Sequence, residues 1–321
     1  MIVFYAESII PDFPSYGISI PMRDIRAIKV YNSLTELFPE KRWLCPIHDP
    51  EEVSTADIYL AHDEKFVNAY GRVGTVLAAF DKEYWPSEIN ENLLKALSKN
   101  YLKEAFVSYM AMRTSLQTGF CYFLGGGMHH AMSFSGRGFC LVNDIVIGAR
   151  KLQSEGVVNK VWVIDVDAHK GDGVAQITQK DNRIRTLSIH MKKGWPNYEI
   201  ITGEEPWAIP SDLDIEIDVT EEPTYNKRLS EGLTYMEEKF GLPELVIVVN
   251  GADPYEKDEL ESSKLLKLTK EQLLERDKIL FEFFKNRRIP QTYLMAGGYG
   301  EFSHEIYTQF LSHVIKDYKL D

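Results

Sequence analysis

A chain of 321 residues that is 44% hydrophobic, with 21 Gly and 14 Pro, can build a large core, which excludes a disordered or collagen-like polymer. Its formal net charge of −12 makes it a poor partner for nucleic-acid phosphates and suits it better to a cationic ligand or a basic peptide. Three scattered cysteines, Cys45, Cys121 and Cys140, form no C-x-x-C pair, so a disulfide framework is excluded and reduced thiols are expected.

In chain order, the apolar run Ile2–Tyr5 reads as an opening strand rather than a leader, because no basic segment precedes it and Glu7 soon interrupts it. No stretch reaches the ~18 apolar residues of a membrane span, so the expectation is a cytoplasmic protein without membrane contact. Amphipathic helices are predicted over 90–116, 143–153, 223–240 and 269–286. Between them lie β-rich apolar runs at 120–124, 161–164, 184–189, 245–249 and 292–296. Residues 213–219 alternate apolar and acidic, which predicts a half-exposed strand near a sheet edge. No Pro/Gly/Ser-rich or charged linker divides the chain, so residues 1–321 are expected to form one α/β domain. Near-continuous apolar strands alternating with helices predict three layers, a central parallel sheet flanked by helices on both faces.

Four of these strands run directly into polar or glycine-rich clusters: Gly125-Gly126-Gly127-Met128-His129-His130, Asp165-Val166-Asp167-Ala168-His169, Asn250-Gly251-Ala252-Asp253 and Gly297-Gly298-Tyr299. The C-terminal ends of parallel strands share one edge, where ligands bind, so all four clusters are expected in one crevice. Asp165, Asp167 and His169 stand at i, i+2 and i+4, one face of a continued strand. Buried carboxylates require compensation, and a cation supplies it. Asp167 and His169, with Asp253 as a third donor, form a set suited to catalytic zinc or another divalent transition metal. His129 and His130 are proton acceptors near neutral pH, with Asp165 and Asp172 as available carboxylate partners. The glycines before Tyr299 suggest a tight, mobile turn aiming its phenol inward, where it can donate to an oxyanion.

Together the segments LGGGMHHAMSFSGRGFCLVND, VIDVDAHKGDGVAQI, TLSIHM, VVNGADPYEKDEL, LTKEQLLERD and LMAGGYG resemble, in this order, the histone deacetylase family of the arginase–deacetylase fold. A weaker segment, ADIYLAHDEKFVNAY with His62 and Asp63, extends the resemblance from Ala56 to Gly300. The GGG-x-HH form and modest length look more like the class IV and bacterial branch than class I. The resemblance implies a zinc-dependent amide hydrolase that removes an acetyl or short acyl group from lysine side chains of proteins or peptides. It maps zinc, or Fe2+ or another divalent metal in its place, to Asp167, His169 and Asp253. His130 then matches the general base and acid, backed by Asp172, and His129 an electrostatic partner backed by Asp165. Tyr299 matches the tyrosine that stabilises the transition state. Gly138 and Phe139 match the acyl-lysine tunnel wall, with Gly298 at the substrate beside Tyr299. A structural potassium maps to Asp165, Asp167, His169, Ser188 and Ile189, several through backbone oxygens.

Three segments depart from the family pattern. Lys170 stands where His or Gln is common, Asp258-Glu259-Leu260-Glu261 lacks the usual Pro and Gly, and Lys192-Lys193-Gly194-Trp195-Pro196 has no secure counterpart. Trp195 is the candidate for the tunnel's second wall. An arginase-like dimetal ureohydrolase would need a second Asp near Asp253, and 250–253 holds one. An acetylpolyamine amidohydrolase is the alternative within deacetylases. A non-catalytic acyl-lysine binder would have lost a ligand, a histidine or the tyrosine. Arg23 and Arg26 read as a solvated helix face rather than as part of an acetate exit route.

Overall fold

The fold rests on one sheet of eight strands, seen in a computed structural model that describes residues 1–20, 25–197 and 209–320. The strands are β1 (Ile2–Tyr5), β2 (Leu44–Pro46), β3 (Phe120–Phe123), β4 (Val161–Asp165), β5 (Ile184–Met191), β6 (Leu213–Ile217), β7 (Leu245–Asn250) and β8 (Gln291–Met295). They pair in the order β2-β1-β3-β8-β7-β4-β5-β6, and every pairing is parallel. The helices are α1 (Arg26–Leu37), α2 (Thr55–Ile58), α3 (Glu64–Ala69), α4 (Val73–Leu77), α5 (Glu91–Thr118), α6 (Asp144–Ser154), α7 (Asp172–Thr178), α8 (Tyr225–Phe240), α9 (Lys270–Asn286) and α10 (Ser303–Asp317).

Strand side chains alternate between two cores, as a pleated sheet requires. Phe4, Phe123, Val161, Val163, Ile247 and Leu294 face the core built with α5, α6 and α7. Val3, Tyr122, Trp162, Ile164, Val248 and Tyr293 face the opposite core, built with α1, α8, α9 and α10. Burial on both faces is why these strands read as unbroken apolar runs. β6, at an edge, alternates buried Ile215 and Ile217 with an exposed Glu216, as its pattern predicts. Asn143 and Thr269, predicted as first helical residues, instead cap α6 and α9 through their side chains. No helix among the described residues is long and apolar enough to cross a membrane.

One expectation fails locally. β4 stops at Asp165, and Asp167 and His169 lie on the loop beyond it rather than on a continued strand face. The reason is where the backbone N–H groups go. Those of Asp167, Ala168 and His169 donate to Oδ1 of Asp165, Asp253 and Asp167, at 3.1, 3.0 and 3.0 Å, instead of to a neighbouring strand.

Arg276 of α9 is fully buried beneath this loop. Its Nη1 donates to Val166 O (3.0 Å) and Gly251 O (2.8 Å), tying the loops after β4 and β7 together, while Nε donates to Asp277 Oδ1 (2.9 Å). Removing one partner of a buried ion pair strands the other charge. Arg276→Ala is therefore expected to lower unfolding stability by about 3–5 kcal/mol in urea titrations.

Candidate active site

β3, β8, β7 and β4, the four strands that end in chemical clusters, are consecutive in the sheet, so their C-terminal loops meet at one place. The loop after β3 turns through Gly126 and Gly127, at φ +74° and +78°, where L side chains are strained. A Cβ on Gly127 would stand 2.9 Å from that of Ala296. The turn is held by Asp144, the first residue of α6. Its Oδ2 accepts from Gly127 N (2.9 Å) and Ser108 Oγ (2.6 Å), and its Oδ1 from Met128 N (2.7 Å).

Asp167, His169 and Asp253 each present a donor atom within 4.8 Å of the others, and all three are buried. Nδ1 of His169 lies 3.1 Å from Asp167 Oδ1 and 2.9 Å from Asp253 Oδ2. Asp253 Oδ2 is buried without a hydrogen-bond partner. An orphaned carboxylate oxygen beside a second carboxylate and an imidazole is what a divalent transition metal takes as ligands, and the set fits zinc. Burial opposes the cation of His169, yet Asp167 and Asp253 lift its pKa to about 10, and burial with the charge of Asp167 raises Asp253 to about 6. The same negative field favours any cation placed there.

The tandem histidines pair as expected. His129 Nδ1 meets Asp165 Oδ2 at 2.7 Å, and His130 Nδ1 meets Asp172 Oδ1 at 2.7 Å. Arg137 also binds Asp172, at 2.9 Å. Burial works against a charged His129, but Asp165 and Asp167 raise it to about 9. Burial and the neighbouring His129 cation hold His130 down to about 3, so at neutral pH it is an uncharged proton acceptor.

Two cavities meet at this point. The inner one, about 840 Å³ of open space, is lined by Ile9, Phe13, Tyr101 and Met128 among others and reaches Asp167. The outer one, about 1160 Å³, is lined by Trp195, Leu260 and Leu265 among others and reaches His169. His130, Gly138, Phe139 and Tyr299 line both and form the waist between them. Trp195, left as a candidate by the sequence, packs 4.4 Å from the ring of His130 and 5.5 Å from that of His169, centroid to centroid. Its presence explains Gly138, whose Cβ would lie 2.5 Å from Trp195. Phe139 adopts a left-handed φ of +67°, held by bonds from its N–H to Ala79 O and from Tyr101 Oη to its carbonyl.

Three hydrogen bonds tie down the turn that carries Tyr299. Gly297 N donates to Asp167 Oδ2 (2.9 Å), Arg26 donates to Gly298 O (2.7 Å), and Tyr299 N donates to Asp258 Oδ2 (2.7 Å). Gly298, expected at the substrate, is buried and absent from the lining of either cavity; it serves the turn. Arg26 is likewise not a solvated face. It is 8% exposed and lines the inner cavity, because the carbonyl of Gly298 draws its guanidinium inward. Arg23 lies outside the described residues.

Other expected residues fall beside the site. Ser188 and Ile189 lie on β5, with Ser188 in register with Asp165. Lys170 is buried, its Nζ 2.9 Å from Asp214 Oδ2. Sequence reasoning missed Asp144, Arg276 and Ser262, whose Oγ lies 3.1 Å from His169 Nε2. Asp144 and Arg276 stand inside the motif-bearing segments LVND and LLERD, so position could have flagged them; Ser262 gave no signal.

The profile described as histone deacetylase domain matches residues 20–316. An uncharacterized protein of Picosynechococcus sp. is 25% identical over 306 residues, 94% of this chain and 95% of its own length. Histone deacetylase 2 of Arabidopsis thaliana is 28% identical over 265 residues, 81% of this chain but 65% of that protein. The acetoin utilization protein AcuC of Staphylococcus aureus shares 48% identity over 67 residues, 21% of this chain and 17% of that protein. Among solved structures, the HDA15 HD domain matches with TM-score 0.74 at 18% identity, covering 99% of this chain and 90% of that one.

His62 supports the same region from behind. Its Nε2 accepts the N–H of Asn143 (3.0 Å), next to Asp144, and burial holds its pKa down from 6.5 to about 4. Between those values the unfolded chain binds the proton more readily, so this contribution to stability is lost as pH falls. The loss is expected to total about 3 kcal/mol. In pH-dependent urea unfolding, His62→Gln should flatten the slope between about pH 6.5 and 4, and an unchanged slope would show that His62 is not the group responsible.

Proposed function

The chain belongs to the histone deacetylase family, and on that premise we propose that it is a zinc-dependent amide hydrolase removing an acetyl or short acyl group from lysine side chains of proteins or peptides. Family membership supports a deacetylase in general. What carries the finer reading is the buried Asp167–His169–Asp253 donor set at a waist shared by His130 and Tyr299. Zinc held by these three residues would act as a Lewis acid and lower the pKa of water towards ~7.

The chain's own groups account for the remaining steps. The carboxylate of Asp172 holds the Nδ1 proton of His130, which leaves Nε2 as the acceptor. His130 takes a proton as water attacks the amide carbonyl and returns it to the departing amine. Burial raises the phenol of Tyr299 well above its usual pKa, so it stays protonated and can donate to the oxygen that becomes negative. The imidazolium of His129 is held beside the site by the carboxylate of Asp165, which its charge balances. Phe139 and Trp195 flank a slot that suits the methylenes of a lysine side chain. Asp81, Glu83 and Glu261 on the outer cavity suit a cationic substrate. That rim also suits an acetylated polyamine, which is the second reading. A structural potassium would be held by Asp165, Asp167, His169, Ser188 and Ile189, several of them through backbone oxygens.

Zinc-loaded protein is expected to release acetate from acetyl-lysine peptides faster than from acetylpolyamines, and a hydroxamate should block it. The reverse order would favour the polyamine reading, and no turnover of either would refute both. Tyr299→Phe should retain zinc and lose ~10²–10³ in kcat. Asp253→Ala should lose the metal itself, read as zinc per chain by elemental analysis; full occupancy would refute the ligand assignment.

A further inference from the structure

The segment that departs from the family pattern, beginning at Asp258, springs from the residues just after Asp253. Its base is closed by two backbone bonds, Glu256 N to Leu268 O (2.9 Å) and Leu268 N to Pro254 O (2.7 Å). From that base it reaches two separate parts of the site. The carboxylate of Asp258 accepts Tyr299 N–H through Oδ2 (2.7 Å), and its Oδ1 is fixed by Leu260 N (2.9 Å) and Ser263 Oγ (2.9 Å). Glu259 Oε1 adds a bond from Glu301 N (2.9 Å), closing the turn from outside. Ser262, on the short helical turn Glu261–Ser263, places Oγ 3.1 Å from His169 Nε2.

We propose that Asp258 and Ser262 are positioning residues, through which this loop braces the oxyanion tyrosine and the metal-binding imidazole against one another. The proposal rests on the deacetylase reading for its kinetic arm only. His169 turns Nδ1 towards Asp167 and Asp253, so as a ligand it must use the Nδ1 lone pair and carry its proton on Nε2. Ser262 Oγ is the acceptor that holds this tautomer, and such partners of ligand histidines typically matter 10–100-fold in metal affinity. Asp258 acts on the backbone rather than on the phenol: it sets where the Tyr299 ring begins. Displacing a catalytic group by about an ångström can cost up to ~10²-fold in rate while leaving substrate binding alone.

The test uses the full chain. Zinc affinity, by chelator competition, should weaken about 10–100-fold in Ser262→Ala and recover in Ser262→Thr, which keeps the hydroxyl. At saturating zinc, Asp258→Ala should lower kcat roughly tenfold or more with KM unchanged. Asp258→Asn, which keeps an acceptor for Tyr299 N–H, should recover most of it. Hydrogen exchange at the Tyr299 amide should accelerate in Asp258→Ala. Wild-type zinc affinity in Ser262→Ala, or wild-type kcat in Asp258→Ala and Asp258→Asn alike, would overturn the brace. Should the wild-type protein hydrolyse no acyl-amine, the functional reading falls, while zinc affinity and amide exchange still decide the brace.

Discussion

Four carboxylates, those of Asp165, Asp167, Asp172 and Asp253, lie buried within one small volume, and the rest of the site is arranged to make that tolerable. Isolated buried charges are prohibitively costly, so each must find a cation or a dense set of donors. Asp165 and Asp172 are met by the tandem imidazoles, Asp172 also by Arg137. Asp167 takes donations from the N–H groups of His169 and Gly297. Asp253 Oδ2 accepts no hydrogen bond and has only the His169 imidazole, 2.9 Å away, beside it at the point where three donors converge. The metal reading follows from that convergence rather than from the number of acids.

The same requirement shapes the backbone. Residues 167–169 leave the sheet because their N–H groups are needed by carboxylates. The glycines of the β3 loop permit left-handed turns that carry backbone close to Ala296 and let Asp144 collect two amides. Arg276 satisfies carbonyls of the β4 and β7 loops from below, so the loops that carry Asp167, His169 and Asp253 share one fastening. The tyrosine turn, glycine-rich in sequence, is likewise tied by three hydrogen bonds, to Asp167, Arg26 and Asp258.

The inner cavity is lined by apolar and aromatic side chains together with Glu104, Asp167 and the guanidinium of Arg26, and the outer one by Asp81, Glu83 and Glu261 with aromatic rings. His130 and Tyr299 sit between them, where water can be limited and the low dielectric strengthens every hydrogen bond to developing charge. On the proposed function, the acids of the outer cavity are where an amine-bearing chain would lie.

The sequence by itself determined seven of the eight strands, their two-sided burial and the identity of the residues at the strand ends, while the three-residue β2, too short to show a pattern, was legible only in the structure. Apolar runs and glycine or acid clusters are local patterns, and parallel strands send their ends to one edge by topology alone. The family resemblance, rather than residue spacing, implied the pairings of His129 with Asp165 and His130 with Asp172 that the structure shows. Tertiary structure alone decided what lies between elements: the packing of Trp195 on His130 and His169, the inward turn of Arg26, the burial of Gly298, and the reach of Asp258 to Tyr299 and of Ser262 to His169. Such contacts join residues tens to hundreds of positions apart through side-chain atoms, and no periodicity encodes them. They exist only once packing has brought the loops to a common edge and left each buried polar group to find its partner.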